Sequence, residues 1–95
     1  FLQHNTAVRD GCTHAWHQLC ILSDRPNETI ARFEKQGIDA RVHYPIPCNH
    51  HPVFSEYSGH PLEVCESIAP RLVAIPVHPS LTEEELQTIK GVLHP

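Results

Sequence analysis

Leu72-Val73-Ala74-Ile75-Pro76-Val77-His78-Pro79-Ser80-Leu81-Thr82-Glu83-Glu84-Glu85 is the stretch that sets the architecture. Four apolar residues read as a short strand, and Pro76 stops it because proline has no N–H to continue a ladder. The clearest signal follows. The Thr82 hydroxyl is placed to cap the amide of Glu85, and the Glu85 carboxylate to reach back to the Thr82 amide. Leu81 and Leu86 occupy the hydrophobic positions on either side of this box. Three glutamates in the first turn suit the positive end of a helix. Leu86, Ile89, Val92 and Leu93 then form one apolar stripe. The unit is a strand, a proline-rich turn and a helix.

Working outward, Ala15–Leu22 holds Trp16, Leu19, Cys20 and Ile21 within eight residues and reads as a strand buried on at least one face. Ser23-Asp24-Arg25-Pro26-Asn27 is a stop-and-start signal, with Asp24 as the expected acceptor for the first free helix amides and Pro26 in the first turn. Ile30, Phe33 and Ile38 give an apolar stripe for a helix over about 26–36. Gly37 fits the left-handed residue that ends it, with Ile38 folding back. Asp39–Tyr44 reads as a second short strand, Arg41 and His43 on one face and Val42 and Tyr44 on the other. Pro45 and Pro47 end that strand. The segment from Pro45 to Pro61 carries four of the nine prolines and is too long for a simple turn. Pro61–Ala69 reads as a helix with Leu62, Cys65, Ile68 and Ala69 on one stripe, ended by Pro70.

The order is β-α-β-loop-α-β-α. It describes an α/β fold, a small sandwich of about three mostly antiparallel strands with helices on one face. The other face is left for a partner surface. Residues 1–13 are polar and aperiodic and read as a connector. Ninety-five residues make one domain, burying roughly two-thirds of the surface the unfolded chain exposes. The chain starts at Phe1 and has no methionine, so it is expected to be a piece of a longer protein.

Apolar residues at 40% and charged residues at 19% exclude a disordered tail, and no apolar run approaches the roughly 20 residues that span a bilayer. Seven Lys and Arg against eleven Asp and Glu give a net charge of −4, and the basic residues are scattered. No nucleic-acid partner and no membrane partner are expected. Nine histidines would carry the charge from −4 to +5 if all were protonated, so solubility is expected to depend on pH near neutrality. Cys12, Cys20, Cys48 and Cys65 are expected to be free, mostly buried thiols.

Cys48, His50, His51, His60 and Cys65 fall within eighteen residues, and all are zinc-ligating types. Their spacing lacks the tight pairs of structural zinc sites, and a metal-binding use of the 48–65 loop stays a minor alternative. Cys48 with His50 lacks an orienting third group for nucleophilic catalysis. The isolated glycines form no phosphate cradle. Lys35 and Lys90 read as solvated helix-face residues with no cause for activation. No catalytic, cofactor-binding or metal-ligating residue is assigned.

Gly37-Ile38-Asp39-Ala40-Arg41-Val42-His43-Tyr44-Pro45-Ile46-Pro47, with Pro52-Val53-Phe54 after it, resembles the C-terminal domain of the DegT/DnrJ/EryC1/StrS aminotransferases. His14-Ala15-Trp16-His17, Asp24-Arg25 and Leu72–Glu85 agree in order and spacing, so the resemblance covers about residues 14–93. It implies a pyridoxal-phosphate-dependent transferase of nucleotide-sugar biosynthesis, cytoplasmic and dimeric. There a large domain supplies the cofactor lysine and this small domain closes over the site. By that resemblance residues 1–13 connect to a missing large domain and 14–95 are the C-terminal small domain of a fold-type I enzyme. Pyridoxal phosphate belongs to the parent enzyme and is not bound by this chain alone, which is expected to be inactive. The expected partners are the large domain, a second copy in a homo-oligomer, and a nucleotide-linked keto sugar. Four substrate-side residues follow from the match: His43 and Arg41 on the strand, Asn49 and His50 after Pro47. The family usually has an apolar residue and then a histidine there, where this chain has Cys48 and Asn49. The other expectation to test is a stand-alone interaction module that keeps the fold without catalysis.

Overall fold

The computed structural model describes residues 7–57 and 59–95, together with the backbone of Leu2–Gln3. Its sheet has four strands in the order β1-β2-β4-β3. They are β1 (Leu2–Gln3), β2 (Leu19–Ser23), β3 (Arg41–Val42) and β4 (Leu72–Ile75). Every neighbouring pair is antiparallel. β2 and β3 therefore run parallel to each other, joined by the crossover helix α1 (Pro26–Glu34), with β4 inserted between them. The fold is the expected one, a small antiparallel sheet with helices.

The register sorts the side chains. Leu19 pairs with Ile75, Ile21 with Val73, and Val73 in turn with Val42, so this row faces the core. Cys20 pairs with Ala74, and Ala74 with Arg41, so that row faces the opposite side. Ile21, Val73 and Ile75 are buried with Phe33 of α1 and with Ile89 and Val92 of α3 (Glu83–Leu93). Cys20, Leu22, Leu72 and Ala74 on the other face are only half-buried. One face is thus covered by α1 and α3, while the other is only half-buried among the described residues.

Several local readings need adjustment. β2 begins at Leu19 rather than Ala15, and Trp16 adopts a positive φ of 50°, which no continuing strand allows. Leu2–Gln3, within the stretch read as a connector, pairs antiparallel with Ser23 and Leu22, a strand too short to show in an alternating pattern. Asp24 does not cap α1. The N-cap residue is Arg25, with no side-chain cap bond, and Asp24 forms an ion pair with Arg71 instead. The corner is closed by Ser23, whose hydroxyl accepts the Arg25 amide at 3.0 Å. The thiols are free, but Cys12, Cys48 and Cys65 are exposed and only Cys20 is half-buried, where desolvation pushes its thiol pKa up.

Both helix ends that carry strong local signals form as read. Gly37 has φ +72°, its amide donates to Glu34 carbonyl at 2.9 Å, and the Ile38 amide reaches Phe33 carbonyl at 3.0 Å. These paired bonds tie off the last turn of α1. At α3, the Glu85 amide donates to the Thr82 hydroxyl at 3.2 Å, and the Thr82 amide to the Glu85 carboxylate at 2.8 Å. The helix read as Pro61–Ala69 is α2 (Glu63–Ile68) running into a 3₁₀ turn over Ala69–Arg71. Its expected buried stripe is buried only at Ala69, while Leu62 and Cys65 are exposed.

Candidate functional site

β3 is only two residues long because Pro45 and Pro47 follow it. Arg41 and His43 lie two apart, so both turn to the half-buried side of the sheet, and the His43 amide donates to the Leu72 carbonyl at 3.2 Å. Together with Asp39, Ala74, Ile75 and Pro76 they line a groove of about 420 Å³. Val42 turns the other way and packs against the core. Tyr44 leaves the sheet and is 65% exposed.

Arg41 and His43 differ in their freedom within this groove. The Arg41 Nε donates to Asp39 Oδ1 at 3.0 Å, and both side chains are well exposed. That hydrogen bond, with the charge of Asp39, pushes the guanidinium pKa further up. The ring of His43 sits edge-on to Tyr44, with centroids 4.6 Å apart, and its Nδ1 is buried without a hydrogen-bond partner among the described residues.

The 45–62 segment contains two 3₁₀ stretches, Cys48–His50 and Pro52–Tyr57. It is fastened at both ends to one residue of α2. Glu66 Oε1 accepts the side-chain amide of Asn49 at 2.8 Å, Nε2 of His50 at 3.1 Å and the backbone amide of Leu62 at 3.1 Å. The Leu62 amide, then Asn49, then His50 hold the Glu66 carboxyl below the usual carboxylate range against a partial desolvation. Asn49 Oδ1 is left buried without a partner among the described residues.

The four expected substrate-side residues therefore fall into two pairs. Arg41 and His43 share the sheet-face groove, and Asn49 and His50 share Glu66. Among the described residues no hydrogen bond or ion pair joins the two pairs. Glu66 itself was missed, because its partners lie up to 17 residues away in sequence and no short-range spacing marks them. Among the described residues no three His, Cys, Asp or Glu side chains come together as a metal site. None of the helices is long and apolar enough to cross a membrane, again among the described residues.

Pyridoxal phosphate needs a lysine amine, an acid at its ring nitrogen and a phosphate cradle. Lys35 is exposed at a groove between α1 and α3 beside Arg32, and Lys90 is exposed on α3 at the rim of an apolar groove with Trp16. Neither is placed with such an acid and cradle among the described residues, so the residues present do not fit the group.

The four-stranded sheet with its covering helices is a fold found in solved aminotransferase structures. The family model of the DegT/DnrJ/EryC1/StrS aminotransferases matches residues 1–94, and the chain belongs to that family. Among solved structures, a DegT DnrJ EryC1 StrS aminotransferase from Brucella abortus superposes with a TM-score of 0.82 at 29% identity, covering 92% of this chain and 24% of that one. Among curated proteins, a pleiotropic regulatory protein of Geobacillus stearothermophilus is 34% identical over 82 residues, 84% of this chain and 22% of its own length. The dTDP-3-amino-3,6-dideoxy-alpha-D-galactopyranose transaminase of Aneurinibacillus thermoaerophilus is 28% identical over 87 residues, covering 90% of this chain and 24% of its own length. The chain thus spans about a quarter of the length of these relatives.

Proposed function

We propose that this chain is the C-terminal small domain of a pyridoxal-phosphate-dependent transferase that aminates a nucleotide-linked keto sugar. The observation that carries the reading is the family match across residues 1–94 in a chain only about a quarter as long as its relatives. The large domain of the parent chain supplies the cofactor lysine, and this domain covers that site. By itself it is inactive. The parent is a cytoplasmic homo-oligomer. Residues 1–13 connect the two domains.

In this reading Arg41 and His43 face the sugar nucleotide from the sheet, and Asn49 and His50 face it from the loop. A guanidinium offers paired donors to a phosphate or carboxylate, so Arg41 exchanges Asp39 for the substrate's anionic group. The half-buried second face of the sheet and the exposed Ile46, Val53, Phe54 and Tyr57 fit a surface that packs on a larger body.

The test is turnover. The purified chain, given an amino donor, pyridoxal phosphate and a nucleotide-linked keto sugar, is expected to form no amino sugar and no imine absorbance band. The reading frame extended upstream is expected to do both. Turnover by the 95-residue chain alone would overturn the proposal.

A second reading has one observation in its favour, the regulatory name of the 34%-identical relative. In it the domain keeps the fold as an interaction module. An extended chain that binds sugar nucleotide but never turns it over would favour this second reading.

A further inference from the structure

We propose that Glu66 is the positioning residue of the 45–62 loop: one carboxylate oxygen closes the loop and fixes which way the Asn49 amide is turned. Oε1 of Glu66 collects three donors from the two ends of the segment, Asn49 Nδ2 and His50 Nε2 from the start and the Leu62 amide from the end. Between them run eleven residues, 51 through 61, and those the structure describes are exposed. Local helix geometry does not hold such a segment, since its 3₁₀ stretches are short and kinked at Phe54. One side chain on α2 does.

The same bond decides which way the Asn49 amide faces. Asn carries a donor end and an acceptor end. Turned the other way, its oxygen would stand against the carboxylate oxygen at hydrogen-bond distance, two acceptors with no proton between them. The NH2 group is thus committed to Glu66. The end left over is Oδ1, which is buried without a partner among the described residues. A buried acceptor without a donor is unfavourable, so the amide is held in this sense by the Glu66 bond and not by anything on its oxygen.

The positioning itself is tested without any substrate, so its failure and that of the aminotransferase reading are seen separately. The ¹⁵N-labelled chain is titrated through the acid range while the Asn49 side-chain NH2 and the Leu62 backbone amide are followed by NMR. His50 faces Glu66 across the contact, and Glu63 lies one turn earlier on the same helix. Both probes are expected to shift with one shared midpoint below that of an ordinary glutamate, about 4.3. In Glu66→Gln that shared transition is expected to vanish, with faster solvent exchange of the Asn49 NH2. Probes that stay still, that titrate with separate midpoints, or that behave alike in Glu66→Gln overturn the proposal. Should the variant not fold, the shared or separate midpoints in the unaltered chain decide the matter.

Discussion

The hydroxyls of Ser23 on β2 and Thr29 on α1 meet at 2.8 Å inside the protein, where Ser23 is 1% and Thr29 4% exposed. The same Ser23 oxygen accepts the Arg25 amide. One small polar pair thereby anchors the strand-to-helix corner that Asp24 leaves uncapped. Ser23→Ala strands the Arg25 amide and the Thr29 hydroxyl together, and a buried unpaired group costs about 1–3 kcal/mol. A loss in that range is expected in urea unfolding followed by circular dichroism. Thr29→Val on top of Ser23→Ala is expected to cost less than the two separate losses added, because the partners are in contact. A Ser23→Ala change below about 0.5 kcal/mol would contradict this role.

Two glycines should respond to alanine with opposite signs. Gly37 has φ +72° with open space around it, so only the backbone conformation resists a side chain. Gly37→Ala is expected to destabilise by about 1–2 kcal/mol. Gly91 lies inside α3, also with nothing near its missing Cβ. Gly91→Ala is expected to stabilise by about 0.5–1 kcal/mol through helix propensity. Thermal melts of the two variants beside the unaltered chain check both signs.

The capping box on α3 predicts a pH effect. Bonds from the Thr82 amide and then its hydroxyl lower the Glu85 carboxyl pKa against partial desolvation, with His78 adding a small attraction. A carboxyl with a depressed folded pKa contributes stability above its unfolded value, about 4.3, and loses it as the pH falls through the folded value. Glu66 acts in the same direction. The urea midpoint is therefore expected to hold from neutrality to about pH 5 and decline below it, with a shallower decline in Glu85→Gln. Thr82→Ala is expected to cost about 1 kcal/mol at neutral pH. A decline equally steep in Glu85→Gln and the unaltered chain would count against the box.

Val53, Tyr57 and Val64 are 70%, 75% and 72% exposed, and Ile46 and Phe54 lie in the same segment of the chain. Exposed apolar groups in such number drive association. Sedimentation velocity is expected to show self-association of the isolated chain rising with concentration, and weaker association in Val53→Ser with Tyr57→Ser. A single monomer boundary at the highest concentrations would refute this.

Local chemistry made part of this protein legible in its sequence. Leu72–Ile75 forms the strand read from it, and the Thr82–Glu85 box and the Gly37 helix end form as their residue types dictate. Each depends on residues within about five positions, so it is written in a short window. The alternation of Arg41 and His43 against Val42 was readable for the same reason. The burial of the 61–69 stripe was not, because an apolar stripe states what should be covered and not what is there to cover it. The Asp24 expectation failed because Arg71, 47 residues away, is its partner.

The sequence by itself determined the order of elements from β2 onward, the helix ends at Gly37 and at Thr82–Glu85, and the family resemblance, since these rest on backbone preference and short-range periodicity. Tertiary structure alone decided that β4 lies between β2 and β3, so that Arg41 stands beside Ala74 in one groove. It alone gathered Asn49, His50 and Leu62 on a single oxygen of Glu66. Both outcomes join residues far apart in the chain, and such contacts are fixed by packing and by the pairing of polar groups, for which no local pattern exists.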